Sequence, residues 1–495
     1  MSTLKERQAL IGQMAQAMGK SVYNDAEGKQ KDVTPRLELQ SKSPKLVTLE
    51  EAIRRSGLRD GMTISFHHHF RGGDKVVNMV VDKLAEMGFK NLHLAASSLQ
   101  DVHAPLIEHV KNGVITEIST SGLRGELANE ISRGLMEKPV VFRSHGGRGE
   151  AIANGDLHID VAFLGASSSD PLGNACGYSR SENAKSICGS LGYALPDAHY
   201  ADKVVILTDD LVAYPNTPNS ISEHDVDFVV EVDSVGDSSK IASGAIRDTK
   251  NPRDILLAKQ AAKVIINSGY FKDGFSIQTG SGGASLAAVK YIRQSMIDQN
   301  IKASFALGGI TAHMVKMHEE GLIERLIDVQ SFDKVAAESL KNDPTHKEVA
   351  AYEYASMHEE GSATHCLDIV ILSALEVDVN FNVNVLGVAT VSSVALSAVT
   401  LTQQKTRLSA SSSARCSADA SRASLTRLRR SLLRVAPLTL SLQNTASPSI
   451  RLVLTSQSAC ARLVSTSLLS RNSATVPSQS SATPHLCHSA IRWSA

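Results

Sequence analysis

The chain has 495 residues, with 51 Lys and Arg balancing 51 Asp and Glu, and hydrophobic residues make up 42% of it. That length accommodates two or three domains with cores of their own, while no apolar run reaches the roughly 18 to 20 residues of a membrane-crossing helix. The N-terminal MSTLKERQAL lacks the apolar stretch of an export signal, and Cys176, Cys188, Cys366, Cys416, Cys460 and Cys487 form no CxxC pair, so a cytoplasmic protein with reduced thiols is expected.

The balance of charge conceals two unlike pieces. Residues 388–495 carry twelve Lys and Arg against the single acid Asp419, which leaves 39 basic and 50 acidic residues before them. All 33 glycines lie at or before Gly387, no Glu, Tyr or Phe lies beyond it, and 25 of the last 108 residues are Ser.

From the N-terminus, residues 1–45 are polar and Lys-rich, with spacing for one helix in Leu4 to Met18, and read as an extension packed on the core. LVTLEEAIRRSGL (Leu46 to Leu58) is helix-like, MTISF (Met62 to Phe66) strand-like, VVNMVVDKLAEMG (Val76 to Gly88) amphipathic and NLHLAAS (Asn91 to Ser97) strand-like. This alternation predicts an α/β fold of β-α units around a mostly parallel open sheet. The pattern then recurs. Asp160 to Asn174 lies over Asp368 to Asn382 without gaps at an offset of 208, as does Asn112 to Ile115 over Glu320 to Ile323. Asp60-Gly-Met-Thr-Ile lies over Asp273-Gly-Phe-Ser-Ile at an offset of 213. Three matches in one order indicate a duplicated unit.

Several loops carry chemistry. Phe66-His67-His68-His69-Phe70-Arg71-Gly72-Gly73 follows a strand; successive strand side chains alternate in direction, so a three-histidine metal site is not expected. Arg71, with Gly72 and Gly73, is the better candidate, a two-pronged holder of a substrate carboxylate or else a surface ion pair. Cationic, glycine-bearing loops recur at Ser121 to Gly125, containing Arg124, and at Arg143 to Arg148. Gln278-Thr-Gly-Ser-Gly-Gly-Ala284 joins a strand to a helix-like Ser285 to Met296; Gly280, Gly282, Gly283 and Ala284 would offer backbone N–H groups to an anion or oxyanion, if this is not simply a turn. Gly308 and Gly309 end the strand Ala303 to Leu307, so two glycine turns would meet at one carboxyl edge, where ligands collect in open sheets. Glu376 sits at a sheet edge by the repeat, as a cap or as a catalytic acid.

EEAIRRSGLRDGMTISFHHHFRGGD (Glu50 to Asp74), HAPLIEHV (His103 to Val110), STSGLRG (Ser119 to Gly125), CGSLGYA (Cys188 to Ala194), NSGYFKDGFSIQTGSGGASLA (Asn267 to Ala287), ALGGITAHM (Ala306 to Met314), DVQSFD (Asp328 to Asp333) and SALEVDVNFNVNVL (Ser373 to Leu386) together resemble the citrate lyase alpha subunits of the CoA-transferase superfamily. The resemblance implies two CoA-transferase-like α/β domains, 46–235 and 236–387. It implies a transferase that exchanges acetyl for citryl on the phosphoribosyl-dephospho-CoA prosthetic group of an acyl carrier protein (gamma) subunit, with no cofactor covalently held by this chain. A beta lyase subunit then cleaves the citryl thioester to oxaloacetate, within an oligomeric complex. Some superfamily members use a glutamate nucleophile in a turn that here reads Gly309-Ile-Thr-Ala-His313, without a carboxylate. That points to direct attack of a citrate carboxylate on the acetyl thioester. A transferase acting on free CoA thioesters and a docking-only subunit are the alternatives.

In that family Gly-Gly-His-Ser-Asp is expected after Leu386, and it is absent. Shifting the reading frame by one base lets Val388 to Ala395 encode Ser-Asp-Gly-Val-Ile-Arg-Gly, and Ser397 to Gln404 encode Gly-Gly-His-Ser-Asp-Thr-Ala. An out-of-frame tail, 388–495, is therefore expected, largely disordered, with Asp368 to Leu372 as the last strand of a truncated second sheet. A basic nucleic-acid-binding tail is the competing reading of RASLTRLRRSLLR (Arg422 to Arg434), but interleaved aromatics are missing, so no nucleic-acid partner is expected.

Overall fold

The computed structural model describes residues 45–242, 249–280, 282–356 and 361–372, and the backbone of 373–374, 376–377, 383–384, 409–414 and 452–454. All belong to one compact unit that begins at Lys42. The proposed N-terminal helix and most of the tail lie outside the described residues, as does the segment that would match Asp170 to Asn174.

The first sheet contains β1 (Thr63–Phe66), β2 (Leu92–Ala96), β3 (Ile115–Thr120), β4 (Val141–Phe142), β5 (Val161–Ala166), β8 (Lys203–Thr208) and β9 (Phe228–Glu231), with a small hairpin of β6 (Ser168–Ser169) and β7 (Ala175–Cys176) beside it. Its order is 4-3-2-1-5-8-9, and every pair is parallel. The second sheet contains β10 (Phe275–Thr279), β11 (Ala303–Ile310), β12 (Leu326–Ser331), β13 (His346–Glu348) and β14 (Ile369–Ala374); then come the hairpin of β15 (Glu376–Val377) and β16 (Val383–Asn384) and, back in the sheet, β17 (Ser409–Ala414) and β18 (Leu452–Leu454). The order 13-12-11-10-14-17-18 repeats that of the first sheet.

Parallel strands covered on both faces should be apolar throughout. All six residues of β5 are buried accordingly. Helix Val76–Glu86 turns Val76, Val77, Val80, Val81 and Leu84 inward at helical spacing. The sequence matches have structural counterparts too. Gly61 and Gly274 share a left-handed backbone, with φ of 82° and 80°, and Gly113 and Gly321 both have φ of 71°. The duplication is real in three dimensions.

One expectation needs correction. The second sheet does not end at Asp368 to Leu372: β17 pairs in parallel with β14 over six residues, and β18 pairs with β17. Ladder bonds are made by backbone groups, so a Ser/Ala stretch such as SASSSA can add a strand without the apolar pattern on which a sequence reading depends.

The seam between the sheets is built on glycine. A Cβ on Gly146 would lie 1.8 Å from the Ala355 carbonyl oxygen, and one on Gly192 would lie 2.2 Å from that of Val349. Helix His145–Ala153 of the first half thereby packs directly against helix Ala351–Ala355 of the second. The Ala351 N–H donates to Gly192 O across the same seam at 2.9 Å.

Candidate functional site

Residues at the carboxyl ends of β1, β2, β3, β10 and β12 line one cleft of about 100 Å³, so the ligand-collecting edges of both sheets open onto a single space. In each sheet the central strand, β1 or β10, has neighbours whose connections run in opposite directions, and the loops after these two strands supply His68, Arg71 and Gly280.

Arg71 is 5% exposed, and its Nε and Nη1 have no hydrogen-bond partner among the described residues. Its guanidinium carbon sits 4.6 Å from the centroid of the Phe332 ring. Burial, and then the charge of Arg124, push Arg71 down to about 10. Arg71 also holds φ of 51°, a left-handed backbone that costs a non-glycine residue roughly 1–2 kcal/mol. Arg124 lies on the same cleft, and burial lowers it too, against the pull of Asp101. Two cations held out of water beside one another repel unless an anion joins them.

The histidine run diverges, as alternation requires. His68 faces the cleft, while His67 and His69 pack behind it with ring centroids 4.1 Å apart. His68 Nδ1 meets Ser97 Oγ at 2.5 Å, and its ring stacks on His145 and Tyr193 at centroid distances of 5.5 and 5.1 Å. Burial, reinforced by neighbouring cations, keeps both imidazoles neutral: His68 lies well below its ordinary value and His145 is down to about 3. Gln330 Nε2 donates to the His68 carbonyl at 2.8 Å, fixing the first-half loop to the second half.

On the opposite wall, the Gly280 N–H donates to Ile371 O at 2.7 Å. It belongs to the β10–β14 ladder, which removes Gly280 from the oxyanion donors expected from sequence. Helix Gly283–Gln299 begins just beyond the lining residues Thr279 and Gly280, behind Gly282 and without a side-chain cap. Gly282, Gly283 and Ala284 therefore do not themselves line the cleft, and the first-turn N–H groups of Gly283 and Ala284 stand at its margin. The buried hydroxyls of Thr279 and Ser285 are without partners among the described residues. Ser281 lies outside them.

Of the other sequence candidates, Gly309 reaches the cleft and Gly308 does not; Gly308 makes room for the Gln278 amide, whose Nε2 would stand 2.4 Å from an added Cβ. Gly72 lies in the turn Arg71–Gly73, and Gly73 packs on Asp237, whose carbonyl oxygen would be 2.2 Å from a Cβ. Arg148 is spent on a buried two-pronged pair with Asp197, both contacts 2.9 Å. Glu376 belongs to β15, and its side chain lies outside the described residues. Among the described residues that line the cleft there is no carboxylate. Tyr193, Gln330 and Phe332 arrive on the cleft from distant loops; they lie in the stretches CGSLGYA and DVQSFD that carry the family resemblance, but no local pattern marked them as site residues.

The sequence profile of the family "Citrate lyase, alpha subunit (CitF)" matches residues 43–416. The citrate lyase alpha chain of Haemophilus influenzae is 60% identical over 347 residues, 70% of this chain and 69% of that protein. That of Escherichia coli K12 is 60% identical over 338 residues, 68% of this chain and 66% of that protein. The match thus spans about two thirds of the length of these relatives. A crystal structure from Streptococcus mutans, assigned to the alpha subunit of citrate lyase and solved with citrate, superposes with a TM-score of 0.73 at 53% identity, covering 76% of this chain and 73% of that one. A Pseudomonas malonate decarboxylase hetero-tetramer shares the fold alone, at a TM-score of 0.53 and 17% identity over 69% of this chain and 62% of that one. No described helix is long and apolar enough to cross a membrane.

Proposed function

Because the chain belongs to the citrate lyase alpha-subunit family, we propose that the cleft between its two sheets is where citrate meets the acetyl thioester of the acyl carrier protein. The chain is the transferase subunit of citrate lyase, a multi-subunit enzyme. The observation that carries the site assignment is the pair Arg71 and Arg124 on a cleft lined, among the described residues, by no carboxylate. A tricarboxylate supplies the missing negative charge, and a relative of 53% identity has been crystallised with citrate.

In this reading Arg71 and Arg124 hold citrate carboxylates while a third carboxylate oxygen attacks the acetyl carbonyl. The tetrahedral oxyanion points at the first-turn N–H groups of Gly283 and Ala284, whose partial positive charge stabilises it. Collapse breaks the carbon–sulfur bond, releasing the prosthetic thiolate and leaving a citric–acetic anhydride. The thiolate then attacks the citryl carbonyl, forming citryl thioester and expelling acetate. No enzyme-bound acyl group forms. The phosphoribosyl-dephospho-CoA arm and the gamma and beta partners belong to this proposal.

The assembled complex tests it: acetyl-to-citryl exchange on the carrier should require citrate and fall with Arg71→Met. Borohydride or hydroxylamine trapping of an acyl or thioester adduct on this chain would overturn the direct route.

A further inference from the structure

Arg71 is a buried cation, and among the described residues a ring stands where a buried guanidinium ordinarily has a carboxylate. The difference matters chemically. A carboxylate partner would occupy the in-plane N–H edges of the fork, whereas an aromatic face engages the flat side of the guanidinium and leaves those edges available. Nε and Nη1 of Arg71 are unpartnered in that sense.

The ring is itself placed by the second half of the chain. Phe332 directly follows β12, and its N–H donates to Ile310 O at 2.8 Å. There the β11–β12 register shifts between Gly308 and Gly309. A Cβ on Gly309 would lie 2.1–2.5 Å from three carbons of the Phe332 ring, so only glycine leaves the ring its position.

We infer that Phe332 is the positioning residue for Arg71, and that the glycine at 309 exists to admit its ring, so that the first half's arginine becomes a carboxylate receptor only when docked on the second half. The inference rests on the reading of Arg71 as a citrate ligand. The ring holds the guanidinium plane in one orientation, which favours planar, two-pronged carboxylates over other anions.

The experiment uses the assembled complex, with citrate KM, acetyl-carrier KM and kcat from exchange kinetics, and with tricarballylate binding by calorimetry as a non-reacting probe. Phe332→Met, which keeps volume without a ring, should raise citrate KM and the tricarballylate Kd by about 3- to 30-fold, with kcat and acetyl-carrier KM nearly unchanged. Phe332→Tyr should restore both, and Gly309→Ala should reproduce the Met variant by displacing the ring. Melting temperatures identify any loss that is merely structural. If Arg71→Lys leaves tricarballylate binding intact, the assignment of the cleft itself fails. If Arg71→Lys impairs binding while Phe332→Met does not, the cleft stands and the positioning role is wrong. Equal loss in kcat, both KM values and melting temperature, unrescued by Tyr, also overturns it.

Discussion

Asp160 and Asp368 hold equivalent posts in the two sheets: Asp160 accepts the Thr63 N–H at 2.7 Å, and Asp368 accepts the Ser276 N–H at 2.9 Å. Each carboxylate stands just before the strand that flanks the central one, and each satisfies the N–H at the head or second residue of that central strand. A buried donor without a partner is costly. Asp160→Ala should therefore lower unfolding stability by about 1–3 kcal/mol, and Asp160→Asn, which retains an acceptor oxygen, by less. Urea titration of the two variants measures this; equal losses would mean that the hydrogen bond is not what the residue contributes.

Stability should fall as the solution is acidified below neutrality. Burial holds His67 near 4, His145 near 3, and His68 and His69 well below the ordinary imidazole value. The unfolded chain takes up protons at these groups from about pH 6.5 downward, where the folded chain does not. Between pH 7.5 and 5.5 each imidazole that stays neutral in the fold costs on the order of 1 kcal/mol. Melting temperature measured across that interval should drop, and His69→Gln should flatten the slope.

Glu348 has the opposite sign. Burial among first-half groups, with Asp328 nearby, pushes its carboxyl up to about 7, although the Leu191 N–H donates to it. Its folded value lies above its unfolded one, so its contribution is intact below about pH 4.5 and is lost as pH rises through 7. Glu348→Gln should raise stability at pH 8 by about 3 kcal/mol and at pH 5 by less than about 1 kcal/mol. A gain independent of pH would assign the effect to packing.

The reading-frame account of the tail makes its own prediction. Sequencing the DNA around codon 387 should reveal a one-base gain or loss, and a frame-restored chain should be more soluble and more active in acetyl-to-citryl exchange. Equal exchange activity in the two chains would count against it; the family match itself runs past Gly387 to residue 416.

Much of the frame was legible because β-α alternation and duplicated Asp-Gly turns are local patterns. MTISF contains β1, NLHLAAS contains β2, and the strand expected at Ala303 to Leu307 runs on to Ile310. The Asp60 and Asp273 carboxylates even repeat a contact, accepting the N–H groups of Lys90 and Lys302 at 2.8 and 2.9 Å. The lining of the cleft was legible only where a loop carried its own signal, as at Arg71, Arg124 and Gly309. Phe332, Gln330 and Tyr193 lay inside stretches that carried the family resemblance, yet nothing local marked them for the cleft, because their meaning depends on which loop of the other half faces them. Gly280 misled for a related reason: a glycine-rich turn advertises free N–H groups, but ladder pairing had already claimed that one.

The glycine seam makes the calibre of the cleft a main-chain dimension. With Gly146 and Gly192 in contact with opposing carbonyl groups, nothing smaller can be substituted to draw the halves closer, and any larger residue forces them apart. Evolution at the seam is thus a one-way ratchet that can widen the mouth and never tighten it. Any narrowing toward a smaller acid would have to be written into the lining side chains themselves.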